Sequence, residues 1–475
     1  MKQIFLAVVA LLSVVTMNAQ NKAQFGEKFS YVLAEETNPQ IVLADSYNHY
    51  LLSITNVDGM LASHKVTVRK FDQKSQLVDT YTQEFKKLDN GTLYNYLGTK
   101  ELSNTQVAVF AESYSGKEKK KDIYQYLFDK GTGKFTTTLV VSYPIESAMK
   151  SGTTTLATSD NGRYVGFINK RDGKSATADE VLMLDGSSAA VLWKKEVPQE
   201  DKTYIRAFTV TNSGKAVLLK AAKGLKLSNK LAVVTKDNIE EKLFDEEVML
   251  HNPKAVSIGQ ADYLVDFNFA AKGLRSGDFE KFMLYDLGSG KILKNNTVKE
   301  WNAVKDITEA NVTNVIIQNN ELHIFTEAKA KAGTRQVKVN PMSSMTFDEP
   351  YYRYGPSHLI VMNLDGTIKS IKPFSISTNG ASDFYHSFGL LNLMGKYYIN
   401  AGGPYNLYEL PYDDTKAANF KLPADITNDP YKNESPYYVP QVMGYVKDTR
   451  KVILCRMHYD NKMSLLSLAD FPVGN

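Results

Sequence analysis

The chain has 475 residues, 43% hydrophobic and 23% charged, with 29 glycines, 15 prolines and one cysteine. This balance excludes a disordered or collagen-like chain, and a lone Cys455 excludes an intramolecular disulfide and a cysteine-built zinc site. The formal net charge of +4 lies too near neutrality for a dedicated nucleic-acid binder, for which a strongly basic domain is expected.

The chain opens on a processing signal. Lys2 gives a positive n-region, Ile4 to Val15 is apolar except for Ser13, and small residues lead to Ala19-Gln20. The pattern predicts a secretory signal peptide over residues 1–19, although Met17 is larger than the residue usual at its place. The apolar run is too short for a bilayer core of about 30 Å, and no later stretch reaches the roughly 18 apolar residues of a membrane helix. No cysteine follows the cleavage region, which argues against a lipid anchor. The leader resembles those of exported Gram-negative proteins whose mature chains begin with glutamine. The expectation is an exported protein, periplasmic or extracellular, with no membrane span.

Residues 20–475 read as one domain built of strands. Gln106-Val-Ala-Val-Phe-Ala111, Arg163-Tyr-Val-Gly-Phe-Ile168, Lys215-Ala-Val-Leu-Leu-Lys220 and Glu321-Leu-His-Ile-Phe-Thr326 are short runs rich in β-branched and aromatic residues. Lys299 to Ala310 is the best short helical candidate. Cys455, in Lys451-Val-Ile-Leu-Cys-Arg456, reads as a buried small hydrophobe.

The strands repeat. Tight polar turns fall near Asn48, Thr105, Gly162, Gly214, Gln260, Asn320, Gly395 and Thr449, at intervals of 57, 57, 52, 46, 60, 75 and 54 residues. A second series, offset by about half a period, places an aspartate after a strand: Asp72, Asp129, Asp185, Asp237, Asp286, Asp365 and Asp413. Phe128-Asp-Lys-Gly131, Leu184-Asp-Gly186, Tyr285-Asp-Leu-Gly288 and Leu364-Asp-Gly366 have the chemistry of hairpin turns. Ala221-Ala-Lys-Gly-Leu-Lys226 recurs almost unchanged as Ala270-Ala-Lys-Gly-Leu-Arg275. Two hairpins per period make four strands, the content of a propeller blade. The expected fold is therefore an all-β propeller of seven or eight four-stranded blades, eight by literal count. The last unit, from Gln441 to Leu468, is one strand short. Phe29 to Ala34 is the strand predicted to complete it and close the fold. Loop insertions are expected near 328–356 and 402–438.

The aspartate hairpins are similar to those of bacterial β-propellers, and the resemblance covers about residues 28 to 470. It implies an exported propeller of uncharacterised function, with no named enzyme family. The Trp-Asp endings of WD40 blades and the Ser-x-Asp-x-Gly-x-Thr-Trp box of sialidases are missing, and Trp193 and Trp301 are too few for a quinoprotein propeller.

Motifs that carry chemistry are sparse. There is no Gly-x-Ser-x-Gly elbow, phosphate loop or calcium loop. His49, His64, His251, His323, His358, His386 and His458 show no metal-ligand spacing, and His323 reads as a core residue. No metal or other cofactor is expected. The repeated aspartates read as turn residues, and the separation of other carboxylates is not legible from sequence. Two features stand out. Fourteen of the 28 tyrosines lie between 351 and 460. Tyr351, Tyr352, Tyr354, Tyr405, Tyr408, Tyr437 and Tyr438, with Arg353, sit among Pro, Gly and Asn, so they read as loop residues able to bind a ligand. Basic turns recur after the second strand, at Lys119, Lys120, Lys170, Arg171, Lys223, Lys226, Lys272 and Arg275, with Lys329, Lys331 and Arg335 beyond. Equivalent hairpins project from one face, which predicts an arc of positive potential toward an anionic polymer or membrane surface.

These features point to a non-enzymatic exported propeller that binds a cell-envelope protein, peptide or glycan through loops on one face. The alternative is a glycan-active hydrolase or lyase with acidic residues near the propeller axis. A third reading is a structural envelope component defined by its oligomerisation.

Overall fold

The computed structural model describes residues 23–32, 35–55, 64–173, 176–200, 203–222, 230–243, 250, 252–270, 278–297, 307–338, 346–374, 378–380, 387–393, 396–402, 407–410 and 429–469. Residues 1–22, Lys223, Lys226, Lys272, Arg275 and Tyr405 lie outside these residues, as does Asp413 of the aspartate series.

Short strands β1 (Ala23–Phe25) and β2 (Phe29–Ser30) come first. The first sheet contains β3 (Glu36–Val42), β4 (Asn48–Thr55), β5 (Lys65–Asp72) and β6 (Leu77–Glu84). The second contains β7 (Leu93–Glu101), β8 (Gln106–Ser115), β9 (Lys120–Asp129) and β10 (Lys134–Pro144). The third contains β11 (Thr153–Thr158), β12 (Tyr164–Lys170), β13 (Ala178–Asp185) and β14 (Val191–Pro198). The fourth contains β15 (Thr203–Val210), β16 (Ala216–Ala222), β17 (Lys230–Val234) and β18 (Ile239–Leu243). The fifth contains β19 (Lys254–Ile258), β20 (Ala261–Ala270), β21 (Asp278–Asp286) and β22 (Lys291–Thr297). The sixth contains β23 (Ile307–Gln318), β24 (Glu321–Lys338), β25 (Thr346–Asn363) and β26 (Ile368–Phe374), with β27 (Thr378–Gly380) beside β25. The seventh contains β28 (Gly389–Leu393), β29 (Lys396–Asn400) and β30 (Leu407–Leu410). The eighth contains β31 (Tyr437–Val446), β32 (Lys451–His458) and β33 (Lys462–Leu468), and β1 supplies its fourth strand.

The fold is a β-propeller of antiparallel four-stranded blades. The eight polar turns of the sequence open eight sheets, but only seven sheets are four-stranded among the described residues. The literal count of eight complete blades is thus corrected to seven, because the unit opened at Gly389 has three described strands. Chain ends meet in the last blade: Phe25 opposes Leu466, and Phe29 opposes Met463. The completing segment begins earlier than Phe29, at Ala23, and its pairing stops at Ser30. The helical expectation at 299–310 is also corrected, since Ile307 to Ala310 belong to β23 and the rest lies outside the described residues.

The aspartate series follows the third strand of its blade. Asp72 Oδ1 accepts from the Lys74 and Gln76 amides at 2.8 and 2.9 Å. Asp129 caps Gly131 and Thr132, Asp185 caps Ser187 and Ser188, Asp286 caps Gly288, and Asp365 caps Thr367. Each of these five carboxylates satisfies turn amides, so these members of the series are structural.

The chain divides into two compact units. One comprises Met1–Val57, Lys65–Thr82 and Ser382–Asn475, and the other Asp58–His64 and Gln83–Ala381. In the larger unit, apolar residues of facing blades form successive layers. Ala108 and Phe110 pack with Val165 and Phe167, and the two phenylalanine rings meet edge-on at 5.3 Å. Ile168 and Met183 pack with Val210 and Leu218, then Val217 and Leu231 with Leu264 and Tyr285, then Phe267 and Phe282 with Leu322 and Ile360. Gly166 allows the close approach: a Cβ there would sit 2.6 Å from Val210 Cγ2. In the smaller unit Cys455 is fully buried beside Phe29, Leu51 and Leu465, as its apolar run suggested, and burial raises its thiol pKa to about 12.

Charge is buried in the smaller unit as well. Arg69 grips Glu36 with two 2.8 Å contacts, one to each carboxylate oxygen, and Ser53 adds a third bond to Glu36 at 2.7 Å. Around the N-terminal segment, the Arg456 guanidinium lies 5.2 Å from the Phe25 ring and pairs with Asp429 at 2.8 Å, while Lys28 pairs with Glu434 at 2.6 Å. Replacing Arg69 with Met strands the Glu36 carboxylate away from water. The expected loss is about 3–5 kcal/mol, read as a lower urea midpoint; an unchanged midpoint would show that the pair does not stabilise the fold.

Candidate binding cleft

One polar feature recurs in every sheet. Ser53, Glu112, Asn169, Lys220, Asp266, Thr326, Asn400 and Arg456 are each the fifth, sixth or seventh residue of the second strand, and all are buried. In a four-stranded meander, the turn from second to third strand and the link to the next blade lie at the same end. The recurring polar residue therefore marks the half of each blade nearer that end. Buried polar groups cost free energy unless partnered, so their partners show where this half of the blade is specialised.

In the larger unit Lys220 and its partner Glu200 line a cleft of about 560 Å³. It lies between the β12–β13 hairpin, the link from β14 to β15, and the strands β15 and β16. Its lining includes Lys170, Arg171, Asp172, Asp179, Gln199, Glu200, Tyr204 and Lys220. Gln199 ties the walls together, because its Nε2 donates to Asp179 Oδ1 at 2.7 Å and to the Arg171 carbonyl at 2.9 Å. Asp179 also accepts from the Arg171 amide at 2.9 Å. Burial raises the Asp179 pKa and these bonds oppose the rise; burial lowers that of Lys170.

Arg171 is held loosely. Its guanidinium nitrogens lie 3.4 Å from both Glu180 and Glu196, and its Cζ lies 5.9 Å from the Tyr143 ring centre. Arg171 Nε, Tyr143 Oη and Glu180 Oε1 are buried and make no hydrogen bond. Burial, then the charge of Glu180, raises the Tyr143 pKa. Of these residues only Arg171 lines the cleft, and Tyr204 offers a ring there that is 39% exposed. On the opposite wall, Glu200 bridges Lys220 at 2.6 Å and Lys230 at 2.8 Å.

The described members of the basic set lie at the turn that follows the second strand of their sheets. Lys119 and Lys120 lie at the β8–β9 turn, and Lys170 and Arg171 at the β12–β13 turn. Their charge is partly compensated, because Lys120 pairs with Asp122 at 3.1 Å and Arg171 with two glutamates. The tyrosines are a different matter. Tyr351 to Tyr354 are not in a loop: they lie inside β25, where Tyr352 opposes Lys331 and Tyr354 opposes Lys329. Tyr354 is buried, Arg353 is exposed, and Lys329 Nζ lies 4.2 Å from the Tyr352 ring centre. The expected insertion near 328–356 is a lengthened hairpin whose ladder runs out to Lys338 opposite Thr346. Tyr437 and Tyr438 open β31, with Tyr438 buried, and Tyr408 lies in β30. Tyr351, Tyr352, Tyr354, Tyr408, Tyr437 and Tyr438 are dispersed over three sheets, and none of them lines the cleft. His323 is fully buried in β24.

The sequence reading passed over Tyr143, Asp179, Glu180, Gln199, Glu200, Tyr204 and Lys220. A signal existed for part of this set. Val107-Ala-Val-Phe-Ala-Glu112, Val165-Gly-Phe-Ile-Asn169 and Val217-Leu-Leu-Lys220 each end an apolar run on a polar residue at the same place in the repeat. Among the described residues, no group of three or more His, Cys, Asp or Glu side chains is placed to hold a metal ion, and no helix is long and apolar enough to cross a membrane.

No family model matches the chain, and no curated protein matches it. Among solved structures it is similar to the β-propeller domain of the trilobed protease from Pyrococcus furiosus, at 12% identity over 85% of this chain and 99% of that one, with a TM-score of 0.40. It is also similar to Kuenenia stuttgartiensis hydrazine synthase, at 12% identity over 74% and 93% of the two chains with a TM-score of 0.36. A protein of unknown function from Bacteroides caccae is 12% identical over 69% and 94%, with a TM-score of 0.28. None of these likenesses assigns a function.

The Glu200 bridge makes a prediction about pH. Its two lysines hold the Glu200 pKa near 2, below the ordinary 4.5. A carboxylate depressed in the folded state stabilises the fold above its unfolded pKa and loses that contribution as pH falls toward the folded value. Glu200→Gln is therefore expected to melt below the parent at pH 7. The gap should close between about pH 4.5 and about pH 2. Melting curves across that range check it, and a gap independent of pH would contradict the bridge.

Proposed function

We propose that this chain is an exported binding propeller that holds an extended polar ligand, a peptide segment of a cell-envelope partner, in the cleft beside Arg171. The observation that carries the reading is the lining of the cleft, which brings together the Arg171 guanidinium, the Gln199 amide, the Glu200 carboxylate and the 39%-exposed Tyr204 ring. A peptide backbone supplies alternating donors and acceptors, and an exposed aromatic ring beside them gives apolar contact at small entropy cost. The wall carboxylates favour binding over hydrolysis. Glu200 is engaged by two lysines, and one oxygen of Asp179 already accepts two hydrogen bonds. A rigid blade scaffold with recognition at its connections is a common way for such folds to bind. The leader sequence supports export, with cleavage after Ala19.

Mature chain 20–475 screened against envelope-derived peptides and glycan oligomers tests the reading. Arg171→Gln and Tyr204→Ala are each expected to weaken the selected peptide at least tenfold, about 1.4 kcal/mol, with the fold retained by circular dichroism. Equal affinity in both variants removes the cleft from binding. Cleavage of a glycan oligomer, lost in Asp179→Asn, establishes the hydrolase alternative instead.

A further inference from the structure

A second cluster, on β8, β9 and β12, is not used by the binding reading. Lys121 on β9 and Asn169 on β12 are fully buried, at 0% and 1% exposure, and Glu112 on β8 is 3% exposed. Lys121 Nζ lies 2.7 Å from Asn169 Oδ1 and 3.2 Å from Thr154 Oγ1. Glu112 opposes Ile123 across the β8–β9 ladder, so it is the diagonal neighbour of Lys121 on the same face. Its Oε2 lies 3.8 Å from Lys121 Nζ, is buried, and makes no hydrogen bond. Glu112 Oε1 accepts from Asn95 Nδ2 at 3.1 Å, so a nucleophile, an amide carbon and a carboxylate with one oxygen unbonded are held together between two facing blades.

We propose that Lys121 and Asn169 form an intramolecular isopeptide bond between the second and third sheets, with Glu112 carrying the proton. In the step, the Lys121 ammonium gives a proton to Glu112. The Nζ lone pair attacks Asn169 Cγ and forms the new C–N bond. A proton moves through Glu112 from Nζ to Nδ2, the Cγ–Nδ2 bond breaks, and ammonia leaves. One amine and one primary amide become one secondary amide and ammonia, with no change of oxidation state and no cofactor. The amide carbon is the same whichever way the Asn169 oxygen and nitrogen are assigned.

The environment favours the reactive form. Burial lowers the Lys121 pKa, and the nearby Arg171 charge pushes the same way, while Glu112 opposes them. A desolvated lysine is a competent nucleophile for this reason. The link also suits the chain. Its one cysteine is buried, so no disulfide is open to it, and a bond across the 48 residues from Lys121 to Asn169 restricts the unfolded chain as a disulfide does.

The test is a proteolytic digest of denatured mature chain, read by tandem mass spectrometry. The expected product is a branched peptide joining the Lys121 and Asn169 segments, lighter by one ammonia than the two linear peptides together. Cyclisation of an N-terminal Gln20 also releases ammonia, so the branch point decides and not the intact mass. Recovery of both segments as linear, unmodified peptides overturns the proposal and leaves a buried hydrogen-bonded lysine. Lys121→Arg must abolish the branch. Glu112→Gln is expected to abolish it too, and a branch at parental yield in that variant overturns the role given to Glu112.

Discussion

A four-stranded sheet has two faces and cannot bury both alone, and everything else in this chain follows from that constraint. Each blade is apolar on both sides through its central strands, so it is stable only against other blades. Phe110 against Phe167 and Phe267 against Leu322 are the local forms of this requirement. The residues that repeat in sequence are those that serve it: short apolar second and third strands, a tight polar turn between the first and second, and an aspartate that satisfies the next turn. The last blade meets the same need with a strand from the other end of the chain.

The apolar layers do not extend to the full length of the second strand. In every sheet they give way to a buried polar residue, and each such residue must find partners inside the protein. Where two blades face each other, those partners become shared, as when Lys121 on one sheet reaches Asn169 on the next. This sharing concentrates charge and unspent hydrogen bonds at one place in the larger unit. The cleft, the loosely held Arg171 and the Lys121 cluster are parts of one transition from apolar core to polar blade end.

Some features were legible because they are local. The aspartate hairpins, the spacing of the first turns and the buried setting of Cys455 depend only on neighbours in sequence. The tyrosines were misread for a physical reason. Pro350, Gly355 and Pro356 suggested a loop, but Gly355 and Pro356 sit at a break in register where the strand bulges, and Pro350 lies on the lengthened hairpin. Bulges and edges are the places where a strand accepts proline. The eighth unit was overcounted because a first turn announces a sheet without fixing how many strands it holds.

By itself, the sequence determined the strand periods, the turns and the all-β class, since alternation and turn chemistry act over a few residues. It also carried the polar residue that recurs in each second strand. Only the tertiary structure decided which of these residues meet. Lys121 and Asn169 belong to different blades, and their approach depends on the packing of two sheets, which no local pattern encodes. The completed blades and the cleft likewise arise from contacts between segments distant in the chain.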